Sequence, residues 1–181
     1  MKEVTSIYIT SWHQYNGGGG LGGWFALEDL TEENYIDELK KIGLDPEGRD
    51  EELVIHDYDD YELDGVLYQL FGEAHPLTVI KFYEKWSDLL DDEKMAFIGL
   101  AKTDSNQTAL EALEEDALDC YLVYDEEGYN DYVEECLACS VDPKAWEYLY
   151  NYIDWDYVRR EYSYDWSSFD FENETYYIRE N

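Results

Sequence analysis

The stretch that most constrains this chain runs from Thr103 to Pro143, forty-one residues holding thirteen carboxylates and no lysine or arginine. A charge block of that kind is ordinarily a solvated, disordered tail. Here Tyr129, Tyr132, Val133, Cys136 and Leu137 fall at i, i+3, i+4, i+7 and i+8, the stripe that a helix buries against a core. Just before it, the apolar and aromatic run Cys120 to Tyr124 reads as a strand. The carboxylates are therefore expected on folded elements.

Composition extends the argument. Forty-five acidic against 12 basic residues give a formal net charge of -33 over 181 residues, which argues against binding nucleic acid or anionic lipid through phosphates and favours a basic partner. Hydrophobic content of 45%, with 17% aromatic, is far from the composition of disorder. No basic leader with an apolar core and no apolar run of about 20 residues is present, so a cytoplasmic protein with no membrane partner is expected. Three cysteines do not suggest a disulfide framework, and packing is their expected role.

The expected fold class is α+β, an elongated chain of three small units: 1–61, a small antiparallel sheet with a helix; 62–104, a helical unit; and 105–181, a sheet with helices. In the first, Ile7 to Trp12 reads as a strand running into a glycine loop (Gly17 to Gly20, Gly22, Gly23). A strand from Trp24 follows, then a helix from Thr31, capped by Thr31 or Asp29 and ended by Gly43, and a strand from Leu53 to Tyr58. In the second, Leu63, Val66, Leu67, Leu70 and Phe71 mark a helix closed by His75 and Pro76. Val79 to Leu90 mark another, and later helices take Asp91 and Ser105 as caps. In the third, a helix starts at Pro143 and breaks near Asp154, and a hairpin joins Phe169–Phe171 to Tyr176–Ile178 across residues 172 to 175.

Chemistry-bearing motifs are thin. Gly17, Gly19 and Gly22 have dinucleotide-fingerprint spacing but lead into a strand rather than a helix N-terminus. Asp60, Glu62, Asp64 and Gly65 imitate half an EF-hand loop, yet Phe71 stands where a bidentate glutamate is required, which leaves only weak divalent binding. Cys136 and Cys139 form one Cys-x-x-Cys with no second pair. His56 and Asp57 are neighbours in a strand, where alternation separates them. No catalytic residue, cofactor site or metal site is assigned, and an enzyme is not expected.

The charge itself offers a function. Duplex DNA carries one charge per about 1.7 Å of axis, so 33 charges match roughly 56 Å, or about 16 base pairs. A compact globule of this length has a radius of gyration of about 16 Å, which favours an elongated arrangement. Helical carboxylates three or four apart stand about 5 to 6 Å from one another, near the phosphate repeat of one strand. The expected phosphate-mimic surface is Asp57, Asp59, Asp60, Glu62, Asp64, Glu111, Glu114, Glu115, Asp116, Asp119, Asp125, Glu126, Glu127, Asp131, Glu134 and Glu135. An acidic adaptor or chaperone for small basic DNA-binding proteins is the alternative, and halophilic adaptation produces a similar composition.

The residues Tyr15, Asn16, Gly18, Gly22, Trp24 and Phe25, then Val54 to Tyr58, then Asn151 to Trp155 with Arg160, resemble the ArdA antirestriction proteins. The resemblance spans nearly the whole chain. It implies a dimeric DNA mimic, encoded by mobile elements, that occupies the DNA-binding groove of type I restriction-modification enzymes at the methyltransferase core with its specificity subunit. The implied homodimer forms through the C-terminal unit, and Tyr121, Leu122, Val123 and Tyr124 are the candidate edge.

Overall fold

The computed structural model describes residues 4–181, and the chain divides into two compact units, one ending at Leu90 and one running from Asp91 to Asn181. The architecture is α+β, with a small antiparallel sheet in each unit.

In the first unit, β1 (Ser6–Ser11) lies between β2 (Gly22–Ala26) and β3 (Leu53–Asp59). Alternation along β1 buries Ile7 and Ile9 on the inner face, where Leu27, Leu39, Ile55, Leu63, Leu67 and Ile80 complete the core. The sheet is joined by α1 (Trp12–Gly17), α2 (Tyr35–Lys41), α3 (Val66–Phe71) and α4 (Pro76–Asp88). Several boundaries differ from the sequence reading. Trp12 leaves the strand to open α1, because the Ser11 hydroxyl accepts the Gln14 N–H at 3.1 Å and caps a helix. Gly22 and Gly23 belong to β2 rather than to the loop. Thr31 and Asn34 exchange side-chain to backbone hydrogen bonds in a turn, so α2 begins at Tyr35 with Asn34 as N-cap. Gly43, with φ of 92°, lies just past its end as expected. His75 and Pro76 do not close α3; Gly72 does, and His75 opens α4 with Pro76 in its first turn.

One buried carboxylate organises this unit. Asp50 is fully buried and accepts hydrogen bonds from Ser11 Oγ (2.9 Å), Gln14 Nε2 (2.9 Å), the Asp45 N–H (2.9 Å) and Arg49 Nη2 (3.1 Å). Burial alone would raise its pKa, but these donors, led by the Asp45 N–H, reverse that and hold it well below the usual carboxylate range.

The second unit is a three-layer stack. Its sheet has the order β4 (Tyr121–Asp125), β6 (Glu174–Glu180), β5 (Ser167–Phe171). On one face α5 (Asp91–Thr103) packs so closely that a Cβ on Gly99 would meet Ile178 Cδ1 and Phe169 Cε1 at 2.8 Å. On the other, Tyr129 and Val133 of α7 (Glu126–Cys139) form a core with Trp166, and Tyr177 stacks on Tyr129 with ring centroids 4.2 Å apart. The stripe expected in the acidic stretch is therefore buried at its centre, with Tyr132 half-buried beside it. Asp91 is the first helical residue of α5, not a cap outside it, whereas Ser105 caps α6 (Asn106–Glu114) as expected. The strand begins at Tyr121, since Cys120 ends a 3-10 turn. Asp142 caps α8 (Pro143–Leu149), and the break near Asp154 is that residue capping α9 (Trp155–Tyr162). The β5–β6 hairpin turns on Glu172 and Asn173 alone, both left-handed with φ of 49° and 68°, so Glu174 and Thr175 are strand rather than loop. Among the described residues no helix is long and apolar enough to cross a membrane.

His75 Nδ1 accepts the Leu77 N–H at 3.2 Å, a cap that only the unprotonated nitrogen can make, and burial lowers the His75 pKa. The contribution is present above the ordinary histidine value of 6.5 and fades as pH falls through the folded-state value. Relative to His75→Asn, which caps without titrating, wild type loses stability in denaturant unfolding as pH falls below 6.5, by no more than the worth of one solvent-screened cap, about 0.5–1 kcal/mol. Parallel pH profiles for the two proteins would refute the cap.

Candidate functional site

The carboxylates of the second unit are mounted on short, well-capped elements. On α6, Ala109, Ala112 and Leu113 face inward, which turns Glu111 and Glu114 to solvent. Glu115 and Asp116 follow at the helix end, where Asp116 takes a φ of 56°, and Asp119 lies in the 3-10 turn Leu118–Cys120. Asp125 ends β4 and caps α7, its Oδ1 accepting the Gly128 N–H at 2.7 Å. Glu126 and Glu127 occupy the first helical turn, where the helix dipole favours negative charge. Asp131 and Glu135 are exposed farther along, while Glu134 is half-buried and accepts the Tyr150 hydroxyl at 3.2 Å.

Asp125, Glu126, Glu127 and Asp131 converge on an open depression of about 580 Å³, together with Asn130 and, from the hairpin, Asn173, Glu174 and Thr175. Glu174 was not among the expected site residues, because only the two-residue turn of the hairpin brings it there. Among the described residues, Glu114, Glu115, Asp116, Asp125, Glu126, Glu127, Asp131 and Glu135 make no ion pair. Three of the unit's cations are engaged elsewhere. Lys102 donates to the Asp170 carbonyl, Arg160 lies over the Tyr157 ring, and Arg179 lies over Tyr132 and Trp166. The field of these carboxylates is consequently uncompensated at short range.

The expected acidic residues of the first unit behave unequally. Asp57, Asp59 and Asp64 are exposed. Asp60 is half-buried, and its two oxygens accept the N–H groups of Leu63 (3.2 Å) and Leu67 (2.7 Å). Burial pushes its pKa up against those two bonds. Glu62 is half-buried and accepts the Tyr83 hydroxyl at 3.0 Å. The EF-hand-like segment is thus a turn held by Asp60, and among the described residues no group of three or more His, Cys, Asp or Glu side chains is placed to hold a metal ion.

The other motifs resolve structurally. Gly17 ends α1 and Gly22 opens β2, so the glycine run joins helix to strand. Packing accounts for Cys136, which is half-buried, but not for Cys120 and Cys139, which are exposed because they fall at the ends of their elements. His56 sits at a β-bulge, where the register with β1 shifts between Tyr8 and Ile9 and simple alternation is interrupted. Tyr121, Leu122, Val123 and Tyr124 are all half-buried and lie on an outer strand of their sheet.

Residues 7–177 match the model of the antirestriction protein (ArdA) family. The chain belongs to the ArdA family. The match runs from β1 to β6 and therefore includes both units. Membership in ArdA implies antirestriction function and interaction with restriction enzymes in general. A comparison with curated proteins finds no match. Several residues of the segments that resemble ArdA in sequence serve the scaffold. Tyr15 packs against the His56 ring at 4.6 Å, the Asp154 side chain caps α9 at 3.1 Å, and the Trp155 and Tyr150 rings meet at 5.4 Å.

Asp60 and Asp131 are thereby assigned different work. Asp60→Ala leaves two N–H groups without their acceptor and lowers unfolding stability by about 1–2 kcal/mol. Asp131→Asn removes only repulsion and stays within about 0.5 kcal/mol of wild type. Equal effects of the two changes in urea denaturation would contradict the assignment.

Proposed function

We propose that this ArdA-family protein inhibits type I restriction-modification enzymes by imitating DNA, occupying the groove that normally binds the duplex and so blocking restriction and modification together. The observation that carries the reading is the set of exposed carboxylates on α6, α7 and the turns beside them, fixed by caps and without ion-pair partners among the described residues. From Asp91 to Asn181 there are 25 carboxylates against 6 lysines and arginines, a formal -19. A groove that holds phosphates with lysine and arginine meets on such a surface the same charge in a preset arrangement.

The central phosphate mimics are Asp125, Glu126, Glu127 and Asp131, joined by Glu174; Asp57, Asp59 and Asp64 add charge from the first unit. Asp60 passes to the scaffold. Competition with DNA for a type I methyltransferase core, measured across ionic strength, tests this. Binding weakens steeply with salt, any single Asp→Asn or Glu→Gln change alters potency by less than about twofold, and combined changes at Asp125, Glu126, Glu127 and Asp131 lower it by more than tenfold. Salt-insensitive binding, or a ternary complex that retains DNA, would sink the proposal.

A homodimer formed through the outer edge of β4 belongs to the same proposal, because an unprotected edge strand invites pairing with a second chain. Sedimentation at micromolar concentration then gives twice the chain mass; a mass of one chain overturns it.

A further inference from the structure

The outward face of the N-terminal sheet sets two aromatic rings, which phosphate imitation does not use, beside two of the carboxylates that it does. Tyr8 of β1 pairs with Trp24 of β2 on one side and with Asp57 of β3 on the other. Directly opposed residues project from the same face, with Cβ atoms about 4.5 to 5.5 Å apart. The opposite face is the one that buries Ile7, Ile9 and Ile55. The Tyr8 and Trp24 rings meet edge-on, centroids 5.6 Å apart at 64°, and Trp24 is 51% exposed.

Local features hold the row in place. A Cβ on Gly22 would lie 2.6 Å from the Tyr8 hydroxyl, so the missing side chain lets the Tyr8 ring lie over β2. Asp57 is exposed, and its Oδ1 accepts the Tyr58 N–H at 2.9 Å, which orients the carboxylate. Asp59, one row along and paired with Ser6, projects from the same face. An exposed indole beside a tyrosine ring and two carboxylates is a surface with both π faces and negative charge.

We infer that this row is an arginine-binding platform for the basic partner, an inference that rests on the partner being a DNA-binding enzyme. A guanidinium is planar and weakly hydrated, so it stacks on Trp24 and Tyr8 while pairing with Asp57. A lysine ammonium, compact and strongly hydrated, gains less from the rings. The carboxylate surface treats the two cations nearly alike, whereas the row selects between them. The charge of -33 supplies the complementarity that brings a basic partner to this face.

The test uses the full chain titrated with octa-arginine and octa-lysine at one ionic strength, reading affinity and the Trp24 indole resonance. The Trp24 signal shifts saturably with octa-arginine and far less with octa-lysine. Trp24→Leu weakens octa-arginine binding roughly two- to fivefold and leaves octa-lysine unchanged. Asp57→Asn, which preserves the strand register, also lowers the ratio of arginine to lysine affinity, while Asp131→Asn leaves that ratio as it is. Equal shifts at Trp24 with both peptides, or a Trp24→Leu protein with the wild-type ratio, overturn the platform. The two readings fail separately. A wild-type protein that binds octa-arginine at Trp24 but does not displace DNA from the methyltransferase core refutes mimicry alone. One that displaces DNA with no arginine preference refutes the platform alone.

Discussion

Repulsion among 33 uncompensated negative charges opposes every compact arrangement of this chain. Burial of large side chains is what outweighs it, and the second unit shows how. Trp166 lies at the centre of a cluster in which Tyr124, Tyr129 and Tyr132 approach within 5.8, 5.4 and 5.3 Å of its ring. Aromatic side chains bury the most area at little entropic cost per residue, so tyrosine and tryptophan suit a chain that must keep its carboxylates outside. Arg179 enters the same cluster, 5.0 Å from the Trp166 ring and bonded to the Tyr132 hydroxyl at 2.7 Å. A scarce cation is thereby kept in the packing, away from the acidic surface.

The same economy governs the helix ends. Asp125, Asp142 and Asp154 cap α7, α8 and α9 with their side chains, and Glu126 and Glu127 occupy a favourable first turn. Each such carboxylate stabilises a helix while remaining part of the charged exterior. Surface charge and local structure are in this sense one device. Asp50 is the contrasting case, a carboxylate withdrawn from solvent and given four donors, which ties the loop before β3 to the start of α1.

Much of this was legible in the residue pattern, and the gaps have physical reasons. The α7 stripe was readable because fourteen residues display a full helical period. The six residues of α1 do not, and the glycines after them read as loop. His75–Pro76 was ambiguous because a residue before proline can end one helix or cap the next. Asp60 looked like any other surface acid; its burial depends on where Leu63 and Leu67 place their N–H groups. Glu174 joined the acidic depression only through the hairpin's tight turn, and nothing in its local sequence marks it. Family membership was readable from aromatic and glycine motifs that build the scaffold, while the carboxylates, abundant everywhere, carried little positional information.

The hairpin turn at Glu172 and Asn173 sets a limit on how such a protein can diverge. Tyr177 belongs to the core on the α7 side of the sheet and Ile178 to the packing against α5. Adding one residue to the turn would shift β6 by one position and exchange these two side chains between layers. Individual carboxylates can drift from one position to another with little penalty, so lineages can scatter their charges freely. The length of this one turn is far less negotiable, and a sequence comparison anchored there would align chains whose acidic residues no longer correspond.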